Sequence, residues 1–418
     1  MPEQPGPASP GSRRTESPQR TVGWRVVRKI GVEERRARLG LRHRLARPAA
    51  SVEAVADEIV GMHSSDPATV FLSAKARVDD FVPADLEDAL YERRSLVRML
   101  GMRRTLFVVP RDLAAMMDEA CTKALVPGER KRLVQMLEKQ GIAPAGRGAR
   151  WLDRVAAKTL EALVARGEAT ARELTKDVPE LGAKLSFGEG KTWAGTMGVS
   201  TRVLFLLATQ GRIVRARPLG GWTSGQYRWA PTETWLGGPL SPIDHDEACA
   251  GLLGRWLRTF GPATSTDIRW WTGWTARLAA ATLEAIGAEE VELDEGTGYV
   301  LPDDTRRVSK ADRWVALLPG LDTTVMGWKE RAWYLGDHAS ALFDRNGNAG
   351  PTVWANGHVV GGWAQTPDGK VVVQLLESVD ATVRKAIDAE RDRLSEWLGE
   401  VRIKTRFPTP LERTLAKR

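Results

Sequence analysis

Hydrophobic positions recur at helical spacing through much of the chain, and two of these helical stretches begin with the same short unit. Residues 167–174 and 261–268 both follow the order Gly-x-Ala-Thr-x-x-acid-aliphatic. In each unit the threonine, Thr170 or Thr264, can cap a helix, and the acid three residues later, Glu173 or Asp267, can reach back to the cap. The pattern predicts a helix start at both places.

A further helical stretch follows each unit, and then come two short apolar runs separated by glycines. The first pair lies around Gly220 and Gly225, and the second lies around Gly296 and Gly298. Two helices followed by a glycine-turned hairpin predict a winged helix. Winged helices usually bind nucleic acid, although many serve only as packing or protein-contact modules.

The remaining pattern divides the chain into a helical beginning and a β-rich end. Helical spacing runs through residues 32–45, 51–60, 69–78 and 83–91, and Pro110 ends an apolar run. The glycine- and proline-rich residues 141–148 predict a linker. From Arg313 onward short β-type runs alternate with turns, which predicts a small antiparallel sheet or barrel, and residues 380–398 then predict a packing helix.

Composition indicates how much core the chain can bury and in which compartment the protein is expected. With 418 residues, 42% of them hydrophobic, the chain can bury several cores. The longest apolar run, residues 203–208, is too short to span a bilayer. Cys121 and Cys249 are too few for a disulfide framework and are expected to be buried thiols. We expect a soluble, cytoplasmic protein, with residues 1–27 as a disordered basic arm.

Charge distinguishes the two predicted hairpins. The net charge is +8, and residues 190–232 contain six basic residues and no acid, whereas the second hairpin is acidic. Arginine-lined hairpins can bind phosphates, and Trp222 at the turn could stack on or wedge between bases. A solvated hairpin whose arginines prevent aggregation is the alternative. The candidate DNA-binding residues are Lys191, Arg202, Arg212, Arg215, Arg217, Trp222 and Arg228.

Candidate chemistry concentrates in Gly61-Met62-His63-Ser64-Ser65-Asp66-Pro67. Taken alone, the motif is a weak signal, because a histidine at a helix end often only bonds a neighbouring carbonyl. The chain has no phosphate-binding loop, and its five histidines show no metal spacing, so we expect no cofactor and no metal. No lysine stands out as a nucleophile.

Four segments carry a resemblance to a known family. They are Val97-Arg98 through Met102-Arg103 and Thr105-Leu106 to Val109-Pro110-Arg111-Asp112; Phe260-Gly261-Pro262-Ala263-Thr264 with Trp271-Thr272-Gly273; Leu317-Leu318-Pro319-Gly320-Leu321-Asp322; and Gly361-Gly362-Trp363. From about residue 32 to 415 the chain resembles the AlkZ and YcaQ family of bacterial DNA glycosylases. The resemblance implies an α+β fold of three tandem winged helices and a C-terminal β-barrel-like module, forming a C-shaped scaffold around duplex DNA.

This resemblance sets the domain boundaries that we predict. Residues 28–145 would form the first winged helix with the catalytic motif, residues 146–240 the second with a basic wing, and residues 241–308 the third. Residues 309–418 would form the β-barrel-like module with a C-terminal helix and a basic tail. We expect Trp270, Trp271 and Trp274, beside the second helix start, to lie in the core.

The chain departs from the family at its functional motif. The family has Gln-x-Gln or Gln-x-Asp where this chain has His63-Ser64-Ser65, and often Arg-Gly-Thr-Leu-His where it has residues 103–107, Arg-Arg-Thr-Leu-Phe. By resemblance the catalytic candidates are His63, Ser65 and Asp66. Neutral His63 could hold a water or accept its proton, Ser65 could bond it, and Asp66 could orient the histidine or favour its cation. The sequence leaves the protonation of His63 open.

The resemblance implies a monofunctional DNA glycosylase that hydrolyses the N-glycosidic bond of N7-alkylated guanine. Bulky adducts of genotoxic natural products, in DNA repair or self-resistance, are the expected substrates, with double-stranded DNA as partner, no membrane, a monomeric state and a nucleoid-associated location. The alternatives are a non-catalytic winged-helix DNA-binding protein or regulator, and a scaffold that binds protein.

Overall fold

The computed structural model describes residues 27–417 except 189, 192–193 and 310–311, so the predicted basic arm lies, apart from Val27, outside the described residues. The helices are α1 Val32–Arg42, α2 Val52–Glu58, α3 Pro67–Lys75, α4 Pro83–Glu87, α5 Arg111–Met117, α6 Val126–Lys139, α7 Gly148–Arg166, α8 Ala171–Asp177, α9 Val199–Thr209, α10 Thr232–Leu236, α11 His245–Phe260, α12 Ser265–Thr272, α13 Ala276–Ala285, α14 Ala332–Leu335, α15 Ala339–Leu342, α16 Ala381–Leu398 and α17 Pro410–Leu415.

The strands are short and lie mostly in antiparallel pairs. They are β1 Arg28–Lys29, β2 Met62–His63, β3 Leu96–Leu100, β4 Leu106–Pro110, β5 Lys184–Phe187, β6 Gly195–Gly198, β7 Ile213–Pro218, β8 Tyr227–Pro231, β9 Ala263–Thr264, β10 Glu289–Leu293, β11 Gly296–Val300, β12 Val315–Leu318, β13 Thr352–Ala355, β14 His358–Gln365 and β15 Val371–Leu375. The fold therefore mixes helices and small sheets, as predicted. In the described part of the chain no helix is long and apolar enough to span a bilayer.

Both repeated units start helices by the predicted chemistry. The N–H of Glu173 donates to Thr170 Oγ1 at 3.2 Å, and the N–H of Thr170 donates to Glu173 Oε2 at 2.7 Å. Asp267 and Thr264 form the same reciprocal pair at 3.2 and 3.1 Å. The two helix starts are thus confirmed. Each arises from local bonds between a cap and its third residue.

Both predicted hairpins also form, and the second is widened by strands from distant parts of the chain. Strand β7 pairs with β8, and β10 pairs with β11. Strand β1 joins β10 in parallel, with Arg28 opposite Val291, and β9 joins β11, giving the order β1-β10-β11-β9. Arg38 and Arg42 of α1 bond Asp304 at 2.8 and 2.6 Å. The chain's first described strand and helix therefore pack against the predicted third unit.

The C-terminal sheet is open, so the small antiparallel sheet is confirmed and the β-barrel-like module that the resemblance implied is wrong. Its antiparallel order is β12-β13-β14-β15, and in the described residues its two end strands do not pair with each other. Four strands are too few to close a barrel. Instead α16 packs against β12 and β15, while α14 and α17 pack against β14. These helices cover the open sheet, as closure into a barrel would otherwise do.

The main core joins the sheet β2-β4-β3 to helix α11 and to a group of tryptophans. Trp271 and Trp274 are buried there, as predicted, whereas Trp270 is only half-buried. Beside this core lies a fully buried ion pair in which Arg77 Nη2 bonds Asp322 Oδ1 at 2.7 Å. Arg77 also donates to the His43 carbonyl at 2.9 Å. The pair thus joins α3, the end of α1 and residues 319–328 beneath the motif.

Candidate active site

His63 lies at the end of strand β2, where a glycine turn delivers the chain from α2. Gly61 has φ +95°, and a Cβ there would meet Val109 Cγ1 at 2.8 Å, so both the conformation and the space require glycine. The His63 N–H donates to Thr323 Oγ1 at 3.0 Å, and that hydroxyl donates to the Gly61 carbonyl at 2.9 Å. The backbone of the motif is thereby fixed on residues 319–328.

The His63 ring is neutral and has a defined tautomer. The side chain is 6% exposed, and burial, reinforced by the charge of Arg103, lowers its pKa to about 3. The Ser65 N–H donates to Nδ1 at 3.4 Å, so the ring proton lies on Nε2. In the described part of the chain Nε2 has no hydrogen-bond partner. The ring therefore accepts a bond from the backbone at Nδ1 and carries its proton at Nε2.

Ser65 is held beside the ring by strand β4. The Leu106 N–H donates to Ser65 Oγ at 3.4 Å, and the Ser64 N–H donates to the Leu106 carbonyl at 2.7 Å. Because its oxygen accepts from the backbone, the Ser65 hydroxyl proton is available to another acceptor. Phe107, the cross-strand neighbour of His63, packs against it with ring centroids 5.5 Å apart.

Asp66 has a structural task. Its Oδ1 accepts from the Ala68 N–H at 3.1 Å, which caps α3, and its Oδ2 accepts from the Arg406 N–H at 2.9 Å. Burial raises its pKa. Among the described residues it makes no hydrogen bond to His63. The structure thus brings His63 and Ser65 together and sets Asp66 apart, at the helix start.

Two arginines lie close to this site, and the sequence did not single out either of them for it. Arg406 Nη1 donates to the Ser65 carbonyl at 3.2 Å, so the basic tail crosses the motif. Arg103 lies 3.9 Å from the centroid of the Trp270 ring, and burial together with the charge of Arg331 lowers its pKa to about 10. Arg103 and Arg104 both have left-handed backbones, φ 53° and 64°, where the family resemblance has glycine second. The signal available in the sequence was Arg104, an arginine at the position where the resembling family has glycine.

The seven candidate DNA-binding residues do not form one surface. Lys191 and Arg212 are exposed, and Arg202 and Arg215 line a common cavity. Arg217, by contrast, bonds Glu87 and Glu92, both at 2.8 Å. Arg228 lies 3.5 Å from Glu168. The run between residues 190 and 232 lacks acids, but distant segments supply them.

Trp222 is docked at the tip of the β7–β8 hairpin. Its ring lies 5.0 Å from that of Phe71 on α3 and 5.6 Å from that of Trp397 on α16, measured between centroids. It would have to leave both rings before stacking on a base. The hairpin tip is thus anchored on the helix that follows the His63 motif. Among the described residues no three His, Cys, Asp or Glu side chains gather as metal ligands.

Comparison with known proteins gives two matches. The sequence profile of a family described as DNA glycosylase AlkZ-like matches residues 56–397. The solved structure of Streptomyces sahachiroi DNA glycosylase AlkZ is similar with a TM-score of 0.68 and 18% identity, covering 88% of this chain and 97% of that chain. At this identity the structural match shows a shared fold. No curated protein sequence matches the chain.

Proposed function

Because the chain belongs to the AlkZ-like DNA glycosylase family, we propose that this DNA glycosylase hydrolyses the N-glycosidic bond of N7-alkylated guanine in duplex DNA and leaves an abasic site. The family match favours an enzyme over a non-catalytic DNA-binding protein. The observation that carries the chemistry is the neutral imidazole of His63, whose Nδ1 accepts from the Ser65 N–H and whose proton therefore lies on Nε2.

N7-alkylated guanine carries a positive charge, so it leaves as a neutral base without a strong acid. The enzyme must then hold a water at the anomeric carbon and tolerate an oxocarbenium-like transition state. Nε2–H of His63 can donate to one lone pair of that water, and the Ser65 oxygen can accept a bond from one of its protons. The other lone pair of the water then attacks the anomeric carbon, and the proton that the water loses passes to solvent. A neutral ring does not repel the developing cation. In this tautomer His63 positions the water and does not take its proton.

The cationic groups fit a role in holding DNA. Lys191 and Arg212 are free to meet backbone phosphates, whereas Arg217 and Arg228 would exchange their carboxylates for phosphates. Arg406, beside Ser65, would bring a positive charge to the strand near the lesion. Bulky adducts of a genotoxic natural product are the proposed substrates, in repair or self-resistance. We infer a monomer that acts on the cytoplasmic nucleoid.

The test is base release from duplex DNA carrying N7-methylguanine or a bulky N7-guanine adduct, detected by alkaline cleavage after subtraction of an enzyme-free control. Wild type should produce abasic sites. His63→Ala should slow release by about 100-fold or more with DNA affinity nearly intact, because loss of one preorganised hydrogen-bond donor costs roughly that much. His63→Gln, which restores a neutral donor, should recover most of the rate.

Two outcomes would contradict the proposal. Full turnover by His63→Ala would remove His63 from the site. Tight, salt-sensitive binding by wild type with no release from any adduct would indicate a protein that reads DNA without catalysis.

A further inference from the structure

A cavity of about 380 Å³ lies between the strand that supports the motif and the basic middle segment. Strands β3 and β4 form one wall, and α9 with the hairpin β7–β8 forms the other. Leu106, whose backbone bonds Ser64 and Ser65, lines it. The cavity and the candidate active site therefore share strand β4.

Four arginines line this cavity among mostly apolar side chains, and none of the described residues that line it is an acid. Arg98 and Arg104 come from the motif side, while Arg202 and Arg215 come from the middle segment. The nearest acid in contact is Glu129, 3.4 Å from Arg104 and also paired with Arg132. Of the four arginines, only Arg104 has this partial partner within the described residues.

Several N–H donors here are buried without an acceptor. Arg98 is 2% exposed and uses only Nη1, which donates to Tyr91 Oη at 3.0 Å; its Nε and Nη2 have no partner in the described part of the chain. The Nε atoms of Arg202 and Arg215 are likewise buried and have no hydrogen-bond partner among the described residues. The ring of Tyr227 lies under both Arg98 and Arg215, at 4.7 and 5.1 Å, but a ring face leaves these donors unmet.

The charges of these groups also oppose one another. Burial lowers the pKa of Arg215 to about 10; the charges of Arg98 and Arg406 act in the same direction, and Tyr227 opposes them. Burial and the charge of Arg104 lower the pKa of Arg202. Unpaired buried cations destabilise a fold, and an anion bound beside them would offset that cost. Arg406, which donates to the Ser65 carbonyl at 3.2 Å, is close enough for its charge to act on Arg215, so the cavity lies near the motif.

We propose that this cavity is a phosphate site, which takes a backbone phosphate of the DNA strand next to the lesion. The forked donors of guanidinium match phosphate oxygens in pairs. Arg98, fixed on β3, would supply the buried end of the site, and Arg202 and Arg215 would close on the phosphate from the middle segment. The inference rests on the proposed function for the identity of the strand, since free phosphate has the same chemistry.

The experiment measures binding to undamaged duplex DNA over a range of salt, so it does not depend on base release. Arg202→Gln and Arg215→Gln are the variants, because both side chains are only partly buried, and Arg384→Gln on the exposed face of α16 is the control. Each site variant should lower the slope of log Kd against log salt by about one and weaken binding about tenfold. Thermal unfolding checks that each variant is folded.

A second arm replaces single phosphates near a lesion with neutral methylphosphonates. One position should weaken wild-type binding about tenfold and leave Arg215→Gln unaffected. Equal slopes for wild type and both site variants would overturn the proposal. Calorimetric binding of pyrophosphate to wild type but not to Arg215→Gln, with unchanged DNA slopes, would assign the cavity to a free phosphate and overturn its assignment to DNA. Absence of base release would refute the proposed function alone.

Discussion

Lowering the pH from 8 to 5 should leave the rate of base release nearly unchanged. With a pKa of about 3, only about 1% of His63 is protonated at pH 5. A histidine with the ordinary value of about 6.5 would be about 97% protonated there, and the rate would fall about 30-fold. The pH profile therefore distinguishes a buried neutral ring from a solvated one by more than a factor of ten.

The assay is single-turnover release with enzyme in excess, corrected at each pH for enzyme-free loss of base. His63→Gln is the matched comparison, because an amide does not titrate and should give the same flat profile. Thermal unfolding must accompany each pH. His43 and His63 both have a lowered pKa of about 3, so their contribution to stability is present above about pH 6.5 and declines as the pH falls toward 3. The decline is about 2 kcal/mol per ring at pH 5.

One result would refute this reasoning. If wild type loses activity with a midpoint near pH 6.5 while remaining folded, and His63→Gln does not, His63 titrates as an exposed imidazole. The buried ring that accepts a bond from the Ser65 N–H would then not be the state of His63 in the working enzyme.

Two further predictions concern stability. Arg77→Met should lower the free energy of unfolding by about 3–5 kcal/mol in urea, because it strands buried Asp322 without its cation, and the double variant with Asp322→Leu should regain much of the loss; a double variant no better than the single would contradict this. Thr264→Ala should lower the free energy of unfolding by about 1–2 kcal/mol, because it removes the oxygen that accepts from the Asp267 N–H. The loss should exceed that of Thr170→Ala, whose cap is less buried. Equal losses would argue against a role for burial.

Local chemistry accounts for the features that the sequence could predict. The two helix starts and the hairpins depend on residues within a few positions of each other, and both formed as predicted. The matched helix starts needed only Thr170, Thr264 and the acids three residues later. In the second, Asp267 also accepts from the Lys329 and Glu330 N–H groups at 2.8 and 2.9 Å, which no local pattern indicates.

Features that depend on distant contacts escaped prediction. Residues 190–232 contain no acid and were predicted to face DNA phosphates, but Arg217 forms ion pairs with Glu87 and Glu92 from another part of the chain. The β-type runs near the C-terminus were located correctly. Their pattern did not show that the sheet stays open and is covered by helices. The protonation of His63 depended on burial by the whole fold. Arg406 reached the motif only because the tail crosses it.

The pairing of β1 with β10 has a consequence for synthesis of the protein. Strand β1 finds β10, and Arg38 and Arg42 of α1 find Asp304, only when residues 289–304 have been made. At roughly 5–20 residues per second, a ribosome needs on the order of tens of seconds to translate the intervening chain. During that time the start of the chain emerges without the strand and the carboxylate that complete it. Its final packing must therefore follow the translation of the third unit.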